Sequence, residues 1–276
     1  MKNKVVIESM LNPSVATDRF EVEKKLLSEG YDFVIGVDEA GRGPLAGPVV
    51  AAAVAVRNFP ACNAVASAGR QFQISNEGEI QNTPSVLRTS PPAPSLKLRA
   101  TRDQRGGEER MWDLIKDSKK LSEKRREEVF GFIMENFYVG VGICNHETID
   151  RINILEATFL AMKKAVGELK SQIKNQGDKI IILVDGDKVI PNFSLEQKSI
   201  VSGDKLVKSI SAASIIAKVT RDRIMNEMDK KYPAYQFAKH KGYGTKIHID
   251  ALKLNGPCEI HRRTFAPVRN AINNRW

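Results

Sequence analysis

The hydrophobic periodicity that organises this chain breaks once, and for a long stretch. From Asn58 to Arg110 no helical or strand period is sustained over 53 residues, which hold five of the chain's twelve prolines and a Ser/Thr/Pro/Ala-rich run at Thr83–Pro94. A loop of that length inside a compact domain is uncommon, and such segments are usually functional or disordered. We read 58–110 as a disordered surface insertion, so the core must close across it. The segment carries seven basic and five acidic residues, whereas the whole chain has 43 Lys and Arg against 33 Asp and Glu, a formal charge of +10. Most of the excess therefore belongs to the folded part, which favours a polyanionic partner.

Outside the insertion the patterns are regular. Phe33–Asp38 and Pro48–Val56 are short apolar runs flanking a Gly/Pro-rich turn, which predicts a hairpin. Ser122 is placed to cap a helix running to about Asn136, and Phe137–Ile143 alternates Val and Gly as a third strand. Leu155, Phe159, Met162, Val166 and Leu169 recur at helical spacing. Lys179–Val184 has the continuous apolar character of a buried parallel strand. Ser199–Ser202 is a shorter strand, Ser209–Lys230 a long helix, and Thr245 with Gly256-Pro257 brackets one more helix. The chain then divides into a leader with a helix (1–30), a larger α/β part (31–230) and a helical C-terminal region (231–276).

Several classes drop out. No apolar run reaches the roughly 18–20 residues of a membrane span. Cys62, Cys144 and Cys258 suit neither a disulfide framework nor a zinc site, and no secretory signal is visible at the start. A cytoplasmic protein is expected.

The residues with chemistry to offer stand at strand ends. In Val37-Asp38-Glu39-Ala40-Gly41-Arg42-Gly43-Pro44 two carboxylates close an apolar strand and run into a glycine-rich turn, where both can swing toward one point. Asp185-Gly186 ends the second buried strand, where open α/β sheets place their sites, and Asp204 follows Gly203 before the long helix. Hard cations such as Mg²⁺ take such oxygen ligands together with substrate phosphate. Each acid also has a plain reading: an exposed pair at a turn, a cap, a helix-terminal charge. Asp117-Ser118-Lys119-Lys120-Leu121 could hold phosphates with its lysines. Lys239–Thr245 mixes charge, glycine and the Tyr243 ring as a sugar-contacting loop would, and His261-Arg262-Arg263 adds charge; each cluster alone also suits a solvated face. The four histidines have no metal-ligand spacing, and His146 and His248 read as structural or solvent-facing.

Taken in order, Gly36–Val50, Asp117–Ser122, Leu183–Gly186, Ser211–Arg223, Lys239–Gly244, Gly256-Pro257 and His261–Val268 resemble ribonuclease HII, from about Glu21 to Val268 with the insertion removed. The resemblance implies an α/β fold, a ribonuclease H-like mixed sheet flanked by helices with a small helical C-terminal region. It implies an endonuclease that hydrolyses the RNA strand of RNA–DNA hybrids and cuts at ribonucleotides embedded in duplex DNA, leaving 3′-hydroxyl and 5′-phosphate ends. The family's metal-site acids fall on Asp38, Glu39, Asp185 and Asp204, for two divalent ions, Mg²⁺ or Mn²⁺. Asp222 becomes a structural or ion-pairing residue of the long helix. The ribonucleotide-sensing elements fall on Gly41, Arg42, Gly43 and Tyr243. The implied partners are RNA–DNA hybrid and ribonucleotide-containing DNA duplex, with no membrane, and the implied form is a monomer. Three other readings stay open: ribonuclease HIII, which normally has an added N-terminal domain where only 37 residues precede Asp38 here; another ribonuclease H-like nuclease; and a non-catalytic nucleic-acid-binding protein.

Overall fold

The computed structural model describes residues 20–57, 110–115, 121–173 and 177–273. Their strands form one mixed five-stranded sheet in the order β3-β2-β1-β4-β5, flanked by helices, as the family resemblance implies. Strand β1 (Phe33–Ala40) pairs antiparallel with β2 (Val49–Val56), which pairs antiparallel with β3 (Phe137–Cys144). On its other edge β1 runs parallel to β4 (Ile180–Asp185), with Val37 opposite Val184. That register delivers Asp38 and Asp185 to the same end of the sheet. Strand β5 (Glu196–Ile200) lies parallel to β4. It starts earlier than the predicted Ser199–Ser202, and Ser202 leaves the sheet in a left-handed conformation at φ 56°. Of its five residues only Ile200 is fully buried, so no apolar run marks its start.

One face of the sheet is covered by α4 (Ile154–Gln172), which follows α3 (His146–Ile152). The Val-Gly alternation of β3 has its cause here. A Cβ on Gly140 or Gly142 would sit 2.1 Å from the carbonyl oxygen of Ala165 or 1.9 Å from that of Ala161, so the helix backbone rests directly on the strand. The opposite face carries α1 (Glu21–Ser28), α2 (Glu123–Asn136), capped by Ser122 as expected, and the long α6 (Lys208–Lys231), reached through α5 (Gly203–Leu206). Ala52, Val54, Ile133 and Ile216 pack there with Trp112 and Ile115. Trp112 belongs to a helical turn at 110–114, so Arg110 falls on the folded side of the boundary assigned from sequence. Glu23 of α1 accepts from the backbone N–H of Ser209 at 2.8 Å and so satisfies the start of α6 from a distant part of the chain; burial raises its pKa. The remainder of the predicted insertion, and the leader before residue 20, lie outside the described residues.

Beyond α6, α7 (Phe237–His240), α8 (Lys246–Asn255, capped by Thr245) and α9 (Ala266–Ile272) pack around Tyr235, Phe237, Leu252 and Val268. Leu45 and Ala46, from the β1–β2 loop, belong to the same cluster, as does Met225 of α6. The C-terminal helices are thereby packed against the glycine-rich loop. Among the described residues no helix is long and apolar enough to cross a membrane.

Candidate active site

A cleft of about 330 Å³ opens at the carboxyl ends of β1 and β4, lined by Asp38, Glu39, Ala40, Asp185 and the Gly41-Arg42-Gly43 loop together with Ser214, Lys218, Arg126 and Tyr243. Asp38 is almost wholly buried. Burial, then Glu39, then Asp185 raise its pKa well above the carboxylate range, against hydrogen bonds from the Ser214 hydroxyl and from the Glu39 backbone N–H at 2.7 Å. Glu39 is raised by burial too, and moderated by Arg42, whose guanidinium stands 3.3 Å away. Asp185 is raised by burial and by Asp204, while accepting from the Gly203 backbone N–H at 2.7 Å.

The sequence-derived acids therefore separate into two positions. Asp38, Glu39 and Asp185 line the cleft, whereas Asp204 is buried beside Asp185 at the start of α5. Among the described residues no three His, Cys, Asp or Glu side chains close into a ready-made metal cage. The donor set nevertheless fits hard divalent cations. Several carboxylates raise one another's pKa at an open cleft, a repulsion such a cation would offset, with water and phosphate left to complete its shell. Asp222 forms an ion pair with Lys218 at 2.7 Å, in keeping with its reading as a structural residue. Lys119 and Lys120 lie outside the described residues.

Tyr243 is 44% exposed, and its ring lies 3.6 Å from where a Cβ on Gly43 would stand. Its backbone is held by a directional chain of hydrogen bonds. The Tyr243 carbonyl can only accept, so His248 Nδ1 donates to it at 2.9 Å. His248 Nε2 must then accept from His261 Nε2 at 2.9 Å, and His261 Nδ1 accepts from the Cys258 N–H at 3.0 Å. Burial lowers the pKa of His248 to about 4 and of His261 to about 3, which keeps this chain neutral. His248 is thus structural, as predicted. His261 and Arg262 are wholly buried and not part of a solvated basic face, because loop carbonyls and the second histidine satisfy them inside. Sequence reading also passed over Ser214, Lys218 and Arg126 as individual cleft residues. The first two stand four residues apart on α6, a spacing that puts them on one face of a helix.

Carboxylates at the carboxyl ends of neighbouring parallel strands of this mixed sheet, sharing a cleft with basic side chains, define a protein of the ribonuclease H-like class. Comparison with known proteins narrows it. The family model described as Ribonuclease HII matches residues 35–61 and 112–268, leaving 62–111 unmatched. A Ribonuclease HII of Caldicellulosiruptor bescii is 42% identical over 247 residues, covering 89% of this chain and 92% of that protein. One from Fusobacterium nucleatum subsp. nucleatum is 45% identical over 236 residues, covering 85% and 86%. The crystal structure of the ribonuclease H2 from Pyrococcus horikoshii OT3 is similar at a TM-score of 0.55 and 26% identity, covering 88% of this chain and 98% of that one. The chain belongs to the ribonuclease HII family and is a type II ribonuclease H.

Proposed function

We propose that this enzyme hydrolyses the RNA strand of RNA–DNA hybrids and also cuts at single ribonucleotides embedded in duplex DNA, leaving 3′-hydroxyl and 5′-phosphate ends. The observation that carries the reading is one cleft lined together by Asp38, Glu39 and Asp185, by the Gly41-Arg42-Gly43 loop and by Tyr243, whose ring stands beside Gly43. Asp38, Glu39, Asp185 and Asp204 would hold two divalent ions, Mg²⁺ or Mn²⁺, whose chemistry is neutralisation of charge on the attacked phosphate and a lowered pKa of water. Ser214 and the Glu39 N–H orient the Asp38 carboxylate. Arg42, Arg126 and Lys218 offer positive charge to the phosphates of the scissile strand, with Lys119 and Lys120 as further phosphate contacts. The backbone of Gly41, Arg42 and Gly43 contacts the 2′-hydroxyl, and Tyr243 packs on the following deoxy sugar. The enzyme acts as a monomer in the cytoplasm.

The test is a substrate panel: an all-DNA duplex, a duplex with one ribonucleotide and a full RNA–DNA hybrid, each with Mg²⁺, Mn²⁺ or chelator, and with product ends mapped. Metal-dependent cleavage of the last two, leaving 3′-hydroxyl ends, is expected. Cleavage of the hybrid alone would sink the embedded-ribonucleotide reading.

A further inference from the structure

Behind the cleft lie two arginines, Arg221 at 1% and Arg262 at 0% exposure. Among the described residues neither forms an ion pair with a carboxylate. Among the described residues every hydrogen bond from their guanidinium groups goes to a backbone carbonyl. Arg262 donates from Nε to Gly47 at 3.0 Å, from Nη1 to Arg42 at 3.0 Å, and from Nη2 to Gly41 at 2.6 Å and Pro48 at 3.2 Å. Arg221 donates from Nε to Pro48 at 3.0 Å, from Nη2 to Ala46 at 3.2 Å and from Nη1 to Lys241 at 3.0 Å. Burying a guanidinium is costly unless its donors are satisfied, so two such groups on one loop indicate a built feature.

The consequence is directional. In a trans peptide unit the carbonyl of one residue and the N–H of the next point opposite ways. With the carbonyls of Gly41 and Arg42 drawn inward to Arg262, the N–H groups of Arg42 and Gly43 face away from it, on the side where these residues line the cleft. Gly41 is fitted to this arrangement: its φ is +101°, and a Cβ there would sit 2.2 Å from Arg221 Nε. Arg221 also reaches the Tyr243 loop, through the Lys241 carbonyl and with its guanidinium 5.9 Å from the centre of the Tyr243 ring. One buried pair thus ties the glycine-rich loop to the Tyr243 loop.

We infer that Arg221 and Arg262 are positioning residues for ribonucleotide discrimination, fixing the spacing between the Gly41–Gly43 N–H groups and Tyr243 so that a 2′-hydroxyl and the next sugar are read together. The inference rests on the sensing roles proposed above for that loop and ring. A lone ribonucleotide offers one hydroxyl followed by a deoxy sugar, so both contacts must be met at a single register. A continuous RNA strand offers a hydroxyl at every register and a hydroxylated sugar beneath Tyr243, so a loosened spacing costs it less.

The test is Arg221→Lys and Arg262→Lys, each keeping its positive charge but losing the planar fork. Melting curves, kcat and KM are measured on a duplex with one ribonucleotide and on a full hybrid. The ratio of kcat/KM for the first substrate over the second should fall roughly tenfold in each variant, mostly in kcat, because small displacements of positioning groups are magnified in rate. Adding Tyr243→Ala to Arg221→Lys should lower the ratio no further than Tyr243→Ala alone. Equal losses on both substrates, or a fully additive double variant, would overturn the inference. Unfolding of both lysine variants at assay temperature would also overturn it, by assigning the pair to general stability; if only Arg262→Lys unfolds, Arg221→Lys carries the test. Failure of the wild-type chain to cut at a lone ribonucleotide would instead remove the sensing roles on which the inference stands.

Discussion

Asp38 lies under the cleft with Glu39 and Asp185 close enough to add their repulsion to the effect of burial. All three carboxylates have pKa values raised above those of the unfolded chain. The folded state therefore holds more protons than the unfolded one between the ordinary and the raised values. Stability from these groups is complete below the ordinary carboxylate range and is lost as pH rises through the raised values. Without divalent ions, the melting temperature should fall across that window, and Asp38→Asn should raise it at neutral pH by removing a buried like charge while keeping an acceptor for Ser214. Calorimetry of both proteins in chelator over a pH series checks this; a less stable Asp38→Asn at neutral pH would show that the repulsion is already compensated. Sequence located these acids because they close apolar runs that lead into glycine-containing turns. It could not rank Arg262, whose partners at Gly41 and Arg42 are more than two hundred residues away, since a charge carries no mark of its burial.

At the scale of elements, most of the fold was legible because its strands are apolar and its helices capped. The β1–β2 hairpin, α2 after Ser122 and α8 after Thr245 follow directly from those signals. Strand β5 was read only at its end, as Ser199–Ser202, since four of its five residues are less than fully buried and its start is set by pairing with β4. The glycines of β3 were read as strand residues, but their reason needed the helix above them. Gly142→Ala should destabilise the protein by about 2 kcal/mol or more, because the new Cβ meets backbone rather than a movable side chain. Gly131 in α2 and Gly167 in α4 have nothing near a new Cβ, so alanine there should stabilise by about 0.5–1 kcal/mol. Urea unfolding of the three variants checks the contrast, and a mild Gly142→Ala would show that α4 can lift from the sheet without loss.

For the molecule as a whole, the site is a product of long-range closure. The cleft carboxylates come from β1 and β4, with Asp204 of α5 buried beside Asp185, and the other lining residues come from α2, α6 and the C-terminal loop, on both sides of the sequence break. The family match skips 62–111, and Trp112 and Ile115 are packed in the core just beyond it. Replacing 59–109 with a short Gly/Ser linker should leave cooperative unfolding and metal-dependent cleavage intact, since doubling a flexible loop's length costs only about 0.6 kcal/mol. Loss of the cooperative transition would show that the segment belongs to the core. The most direct test of the whole account is the cleavage rate at a lone ribonucleotide for wild-type enzyme and Asp38→Asn, in Mg²⁺ and in chelator, with duplex binding measured in parallel. The account predicts that wild-type cleavage requires Mg²⁺. It also predicts that the variant binds duplex as well in chelator yet cleaves roughly a hundredfold or more slowly in Mg²⁺, as loss of several kcal/mol of charge stabilisation requires. Near-normal cleavage by Asp38→Asn in Mg²⁺, or undiminished wild-type cleavage in chelator, would contradict it.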